Sequence, residues 1–243
     1  ADSCHLAGVC VPATGLCTSP AKPDGTSCND ANACTLGETC LAGACVGGSQ
    51  ANLGTFAPRV DYLPGTSPYA IASADLNGDG KADLAVTKAS SVNVAVMLNN
   101  GNGTFSSKVD YAAGAFPSAV LAADLDGDGD ADLAVVDNFP NLLSVLMNNG
   151  NGTFAPKVDY ATGSQPFMIA AADLDSSGKL DLVVTNTDGN TVSVFFNNGN
   201  GTFAAKVDVD TGPVPFGVVA ADLNGDGKAD LAVTNGGDSS VGV

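Results

Sequence analysis

The sequence predicts an all-β protein on three observations. A nine-residue acidic segment returns four times at one fixed spacing. Residues near it alternate apolar and polar with a period of two, and no stretch carries apolar residues at helical spacing. The segment Asp75-Leu76-Asn77-Gly78-Asp79-Gly80-Lys81-Ala82-Asp83 returns from Asp124, Asp173 and Asp222, with first residues 49 positions apart each time. Phe56, Phe105, Phe154 and Phe203 keep the same step, as do Pro68, Pro117, Pro166 and Pro215. Four-stranded units with a period near 50 residues fit propeller-type blades better than a helical solenoid. The expected architecture is therefore four four-stranded blades over residues 49–243, preceded by a small disulfide-rich module over residues 1–48.

Taken in order, the first segment holds all seven cysteines, at positions 4, 10, 17, 28, 34, 40 and 45, among turn formers such as Pro23-Asp24-Gly25. So few large apolar residues cannot hold a core without bridges, and the pattern reads as a disulfide framework in an oxidising compartment. Paired C-x-x-C knuckles are absent and His5 is the only histidine, which disfavours zinc. The odd count leaves one thiol free, bonded to another chain, or paired with a cysteine outside this sequence. Cys4-His5-Leu6-Ala7-Gly8-Val9-Cys10, with Pro12-Ala13-Thr14-Gly15 and Asn32-Ala33-Cys34-Thr35, resembles a cysteine-rich repeat of large secreted bacterial surface proteins. That resemblance implies a further cysteine upstream and a chain that begins inside a longer protein. Gly47-Gly48-Ser49-Gln50 reads as a linker. No apolar run reaches the roughly 18 residues of a membrane span. The start carries no signal peptide, as expected of a mature or trimmed secreted chain.

Within one unit four strands are expected: Tyr69 to Ala74, Leu84 to Thr87, Val92 to Leu98 and Phe105 to Tyr111. Val92, Val94 and Val96 alternate with Asn93, Ala95 and Met97, the signature of a pleated strand with one buried face. The Asn-Gly steps from Asn99, Asn148 and Asn197 supply the positive backbone angles of a tight hairpin turn. A basic residue recurs at Arg59, Lys108, Lys157 and Lys206, two before Asp61, Asp110, Asp159 and Asp208, which suggests cross-strand charge pairing on a solvent face. A last-strand segment, Phe56 to Tyr62, precedes the first unit, and the fourth unit reaches Val243 inside its third strand. These complementary ends suggest strand exchange, within one ring or between copies.

The acidic segments carry the chemistry. The net charge is −17, and of 26 acidic residues only Glu38 is a glutamate, whereas 14 aspartates lie in the four segments. Short carboxylates crowded into nine residues repel one another unless a hard cation sits among them. The expected ligand sets are Asp75, Asn77, Asp79, Lys81 and Asp83; Asp124, Asp126, Asp128, Asp130 and Asp132; Asp173, Asp175, Ser177, Lys179 and Asp181; and Asp222, Asn224, Asp226, Lys228 and Asp230. The seventh position of each is expected to give its backbone carbonyl. An EF-hand would need a bidentate glutamate at position 12, and Val86, Val135, Val184 and Val233 stand there. Calcium, up to four ions, is expected in preference to magnesium, which keeps its waters. Ser177 replaces a carboxylate, so the third site is expected to be the weakest.

These loops, the flanking Ile71-Ala72-Ser73-Ala74 and Leu84-Ala85-Val86, and the Gly103-Thr104-Phe105 step resemble the FG-GAP or VCBS repeat family over about residues 52–243. The resemblance implies integrin-alpha-like propeller blades with calcium between the first two strands, and extracellular adhesion, carbohydrate or protein binding, or a scaffold role. Such propellers usually have about seven blades. The functional expectation is a non-enzymatic, secreted or cell-surface calcium-binding adhesion protein. Its partner would be itself, head to tail in a fibre, or a cell-surface protein or glycan. The alternative is a monomeric glycan- or protein-binding module of a larger adhesin. Nine scattered Lys and Arg make no basic stripe for nucleic acid. No nucleophile–base set points to catalysis. Asn102, Asn151 and Asn200 begin Asn-Gly-Thr sequons that also suit the turn.

Overall fold

The computed structural model describes residues 58–243 throughout and, ahead of them, Lys22, Thr26 and the backbone of four strands. The chain divides into two compact units, Ala1–Asp61 and Tyr62–Val243. In the first, β1 (Val9–Val11) pairs antiparallel with β2 (Leu16–Thr18), and β3 (Thr35–Leu41) with β4 (Ala44–Gln50). Cys40 is fully buried and disulfide-bonded, and its backbone N–H donates to Thr26 O at 2.8 Å. The side chains of the other six cysteines, with His5 and Phe56, lie outside the described residues, so the wider disulfide framework stays an expectation. Gly47–Gln50 is strand rather than linker: Gly47 pairs with Glu38 and Gln50 with Thr35. A ladder that satisfies their backbone groups outweighs the conformational freedom of two glycines.

The second unit is built of antiparallel sheets in chain order. The first contains β5 (Pro68–Ala74), β6 (Asp83–Lys88), β7 (Asn93–Met97) and β8 (Val109–Ala112). The second contains β9 (Ala115–Ala123), β10 (Asp132–Phe139), β11 (Leu142–Leu146) and β12 (Val158–Ala161). The third contains β13 (Pro166–Ala172), β14 (Asp181–Asn186), β15 (Thr191–Phe195) and β16 (Val207–Asp210). The fourth has β17 (Pro215–Ala221), β18 (Asp230–Asn235) and β19 (Ser240–Gly242), three strands, as expected of a unit that reaches Val243 inside its third strand. Its third strand has no fourth partner among the described residues.

Strand β5 packs on β9, β9 on β13 and β13 on β17, whereas the first and fourth sheets do not pack together. Three sheet-to-sheet steps do not complete a turn, so the array is open and the closed ring is not formed. Each junction has its own core. Leu76, Val94 and Val96 of the first sheet meet Val120, Leu133, Val135, Leu146 and Phe154 of the second. Leu125, Val136, Leu143 and Val145 of the second meet Ile169, Leu182, Val184, Phe195 and Phe203 of the third. Val183, Val192 and Val194 meet Val218 and Val233 of the fourth. Burial on both faces explains why the second strands read as continuous apolar runs rather than alternating ones.

Two strand expectations change. The last strand of a blade begins at Val109 rather than Phe105, which makes only an isolated bridge to Asn99. Ser106 closes the turn locally, its N–H donating to Leu98 O at 2.7 Å and its Oγ accepting Leu98 N–H at 2.9 Å. The chain therefore re-enters the ladder three residues later. The described part of the expected opening strand, residues 58–62, is not a strand and pairs with no strand among the described residues. The recurrent charge pairs also differ. Lys108–Asp110, Lys157–Asp159 and Lys206–Asp208 pair two residues apart along one segment. Cross-strand pairing comes instead from Lys88, 2.6 Å from Asp110.

Candidate metal centre

Each acidic loop joins the first and second strands of its sheet, so both its ends are held by a ladder: Ala74 pairs with Asp83, Ala123 with Asp132, Ala172 with Asp181 and Ala221 with Asp230. The first aspartate folds the loop around its own carboxylate. Asp75 accepts Gly78 N–H at 2.9 Å and Gly80 N–H at 2.6 Å. Asp124 does the same with Gly127 and Gly129, and Asp222 with Gly225 and Gly227. Position 3 then accepts the N–H of position 5, as in Asn77 with Asp79 at 3.0 Å and Asp175 with Ser177 at 3.0 Å. The winding needs positive φ at position 4, where Gly78 has 74°. Ser176 holds that place in the third loop at 61°, a conformation that costs a residue with a Cβ about 1 kcal/mol or more.

The ninth-position aspartate locks the loop from beneath. Asp132 is buried and accepts Leu125 N–H at 2.9 Å and Asn148 N–H at 2.7 Å. Asp83 and Asp181 make the matching pairs with Leu76 and Asn99, and with Leu174 and Asn197. Burial pushes the Asp132 carboxyl up to about 6, against the donated N–H bonds of Asn148 and Leu125. The exposed carboxyls differ. A hydrogen bond from Lys81, 2.8 Å away, lowers Asp79. The Ser177 hydroxyl lowers Asp175, and the Gly227 and Gly225 amides lower Asp222. Asp126 is raised by burial and by its neighbours Asp128 and Asp124.

Carboxylate oxygens lie within 4.8 Å of one another in Asp124, Asp126 and Asp128, and again in Asp173, Asp175 and Asp181. An all-oxygen donor set converging this closely fits a hard divalent cation. The structure brings positions 1, 3 and 5 together in the second loop and positions 1, 3 and 9 in the third. In the first and fourth loops, Asn77 and Asn224 replace one acid. At position 7 the lysine side chains turn to other partners, Lys81 to Asp79 and Lys179 to Asn198 O at 3.0 Å. Any donor there would be the backbone carbonyl.

Sequence reasoning missed the clamp. Asn148 Nδ2 donates to Ala131 O at 2.8 Å in its own loop and to Leu76 O at 2.9 Å in the preceding one. Asn197 does the same with Leu180 O and Leu125 O. The signal was present, an asparagine at the same 49-residue step two residues after the third strand of each of the first three sheets, but it reads equally as a turn former. The leucine at position 2 was also missed: Leu76 and Leu125 are plugs in the inter-sheet cores.

A model of the FG-GAP-like repeat matches residues 75–135, 127–184 and 173–233. No curated protein matches the chain. Among solved structures it is similar to an Agrocybe aegerita lectin that recognises non-reducing terminal N-acetylglucosamine, at 26% identity and TM-score 0.49, over 70% of this chain and 50% of the lectin. It is similar to the Photorhabdus luminescens Tc holotoxin pore at 26% identity and TM-score 0.42, over 70% of this chain and 8% of that one. The V. cholerae biofilm matrix protein Bap1 follows at 18% identity and TM-score 0.41, over 72% of this chain and 30% of Bap1. The chain thus spans half or less of each.

Proposed function

This chain belongs to the FG-GAP-like repeat family, and from that premise we propose that it is a non-enzymatic, extracellular calcium-binding adhesion or structural protein. The observation that carries the proposal is the convergence of carboxylate oxygens in loops tied at both ends to strands. A divalent ion there would offset the repulsion among carboxylates and fix the corner between the first two strands. Calcium supplies charge neutralisation. The chain supplies Asp124, Asp126, Asp128 and Asp132 in the second loop and their counterparts elsewhere. Clustered cysteines support an oxidising, extracellular setting. Among the described residues no helix is long and apolar enough to cross a membrane.

The test is calorimetric melting in calcium and in excess chelator. A ligand bound only by the folded state adds about 2.7 kcal/mol per site at a hundredfold excess over its Kd. Melting should therefore rise by several degrees with calcium, and an unchanged melt removes the proposal. Head-to-tail assembly of copies into a fibre is part of the same proposal, and sedimentation velocity in calcium tests it, a strictly monomeric chain removing it.

One feature favours the alternative, a module that binds glycan or protein. Tyr69, Phe116, Phe139 and Phe216 are exposed at the ends of sheets remote from the acidic loops. A cavity of about 260 Å³ is lined by Tyr69, Phe116, Pro117, Phe167, Ser118 and Asn138. Exposed rings beside an amide and a hydroxyl suit a sugar face or an apolar side chain. Glycan-array binding that survives in wild type and is lost in Phe116→Ala would favour this reading over assembly.

A further inference from the structure

Buried polar groups join three of the acidic loops into one series of hydrogen bonds. In each loop the ninth-position aspartate accepts two backbone N–H groups, one from position 2 of its own loop and one from the asparagine that follows the third strand. Asn197 N–H donates to Asp181 at 2.8 Å, and Asn197 Nδ2 donates to Leu125 O at 2.8 Å. Leu125 N–H donates to one oxygen of Asp132 at 2.9 Å, and Asn148 N–H to the other at 2.7 Å. Asn148 Nδ2 donates to Leu76 O at 2.9 Å, and Leu76 N–H donates to Asp83 at 2.9 Å. All six bonds are buried, where a hydrogen bond is stronger than in water and neighbours polarise one another. The series runs without a break from the third loop through the second to the first.

Its members stand beside the candidate ligands. Asp181 belongs to the carboxylate cluster of the third loop, and Leu125 lies between Asp124 and Asp126 of the second. Leu76 lies between Asp75 and Asn77 of the first. The leucine side chains fix the same residues from within, Leu76 and Leu125 being buried in the cores shared with the following sheets. Position 2 of these loops is therefore set by the next sheet as well as by its own strands. A carboxamide suits the linking place because its nitrogen carries two hydrogens. Asn197 spends one on Leu180 O in its own loop and one on Leu125 O in the preceding loop, while its oxygen accepts Gly199 N–H.

We infer that Asn148 and Asn197 are positioning residues that couple the loops, so that calcium held by one loop raises the affinity of its neighbour. This rests on the calcium reading above and adds to it an interaction between sites. With the third loop loaded, Asp181 is held together with Asp173 and Asp175. Asn197 is then held by Asp181, Leu125 by Asn197, and Asp124 and Asp126 by the residue between them. Order already imposed on the second loop need not be imposed again when it binds, which is positive cooperativity without a change of fold. Linkage makes the effect reciprocal, the second loop favouring the third by the same factor. Asn148 carries it between the second loop and the first. Couplings of this kind amount to about 5–150-fold in affinity.

The test follows each loop separately, by amide hydrogen exchange of the full chain during a calcium titration, with peptides that cover residues 75–83, 124–132 and 173–181. Asp126→Asn combined with Asp128→Asn empties the second loop. Neither residue is buried, and asparagine keeps an acceptor oxygen for the N–H bonds of Asp128 and Asp130. In that variant the calcium concentration that half-protects the first and third loops should rise at least about fivefold. Adding Asn197→Ala should abolish the dependence of the third loop on the second and leave that of the first; Asn148→Ala should do the reverse. An asparagine with a merely structural role would weaken the loops and leave their interdependence intact. Because the asparagine variants cost stability, the emptied loop, which keeps both asparagines, tests the coupling by itself. If emptying it moves neither neighbour, the coupling is overturned while calcium binding stands. If the third loop still responds in Asn197→Ala, or the first in Asn148→Ala, the role given to that asparagine is overturned. If calcium protects no loop of wild type, the calcium reading falls and the coupling with it.

Discussion

Replacing Asp137 by asparagine should stabilise the protein at neutral pH and leave it little changed in acid. Asp137 is fully buried in the second sheet, accepting Gly114 N–H at 2.8 Å on one oxygen. Its other oxygen is 2.6 Å from Ser144 Oγ, which also lies 2.7 Å from Asp159 Oδ1. One hydroxyl proton cannot serve two carboxylates, so the arrangement is satisfied only when Asp137 carries a proton of its own. Burial, opposed by the Ser144 and Gly114 hydrogen bonds, pushes its carboxyl up to about 6 from 3.8. An acid held above its unfolded value contributes stability below that value and loses it as pH rises through the folded one. The window is therefore roughly pH 4 to 6, and a two-unit rise amounts to about 3 kcal/mol by pH 7. The repeat supplies the remedy. Asn186 holds the same place in the third sheet, accepting Gly163 N–H and donating to Ser193 Oγ. Asp137→Asn should therefore gain about 2–3 kcal/mol at pH 7, or about 4–10 °C in melting temperature for a unit of this size. Chemical denaturation of both proteins at pH 4, 5, 6 and 7 isolates the effect, because they share every other titrating group. A gain independent of pH, or a loss at pH 7, would refute the reasoning.

Three further outcomes are expected. Asn148→Ala leaves the buried Leu76 carbonyl and the half-buried Ala131 carbonyl without their donor and should cost about 1–3 kcal/mol for a buried one left unsatisfied; Asn99→Ala, which deprives only Ala82 O among the described residues, should cost less in the same urea titration. Leu125→Ala should cost about 2–5 kcal/mol as a core truncation, whereas Leu223→Ala should stay within about 0.5 kcal/mol at dilutions where copies are separate; equal losses would contradict the assigned junctions. The third loop should be the weakest calcium site in calorimetric titration, and Ser177→Asp should tighten it, because a serine offers a neutral oxygen where the other loops offer a carboxylate; no change in the weakest step would count against it.

The repeat, its strands and its candidate ligands were legible because each rests on local chemistry. Alternating Val92 to Val96, the Asn-Gly turns and the clustered aspartates act within a dozen residues. What escaped were facts that need two sheets at once. Asn148 reads as a turn former until Leu76 O of the preceding sheet comes within its reach. Asp137 reads as one more surface acid until the second sheet buries it behind Ser144. The last strand was placed too early because Ser106 closes its turn with hydrogen bonds that no periodicity reveals.

The acidic segment divides in the same way. The sequence by itself determined that Asp124, Asp126, Asp128 and their counterparts form loops between strands, since short carboxylates, glycines and flanking valines allow little else. Only the tertiary structure decided which loops are sealed. Leu76 and Leu125 lie under a following sheet, and Leu223, with the same local sequence, does not. Local propensity is identical in the repeats, but burial is a property of neighbours, and only the assembled array says which sheets have one on each side.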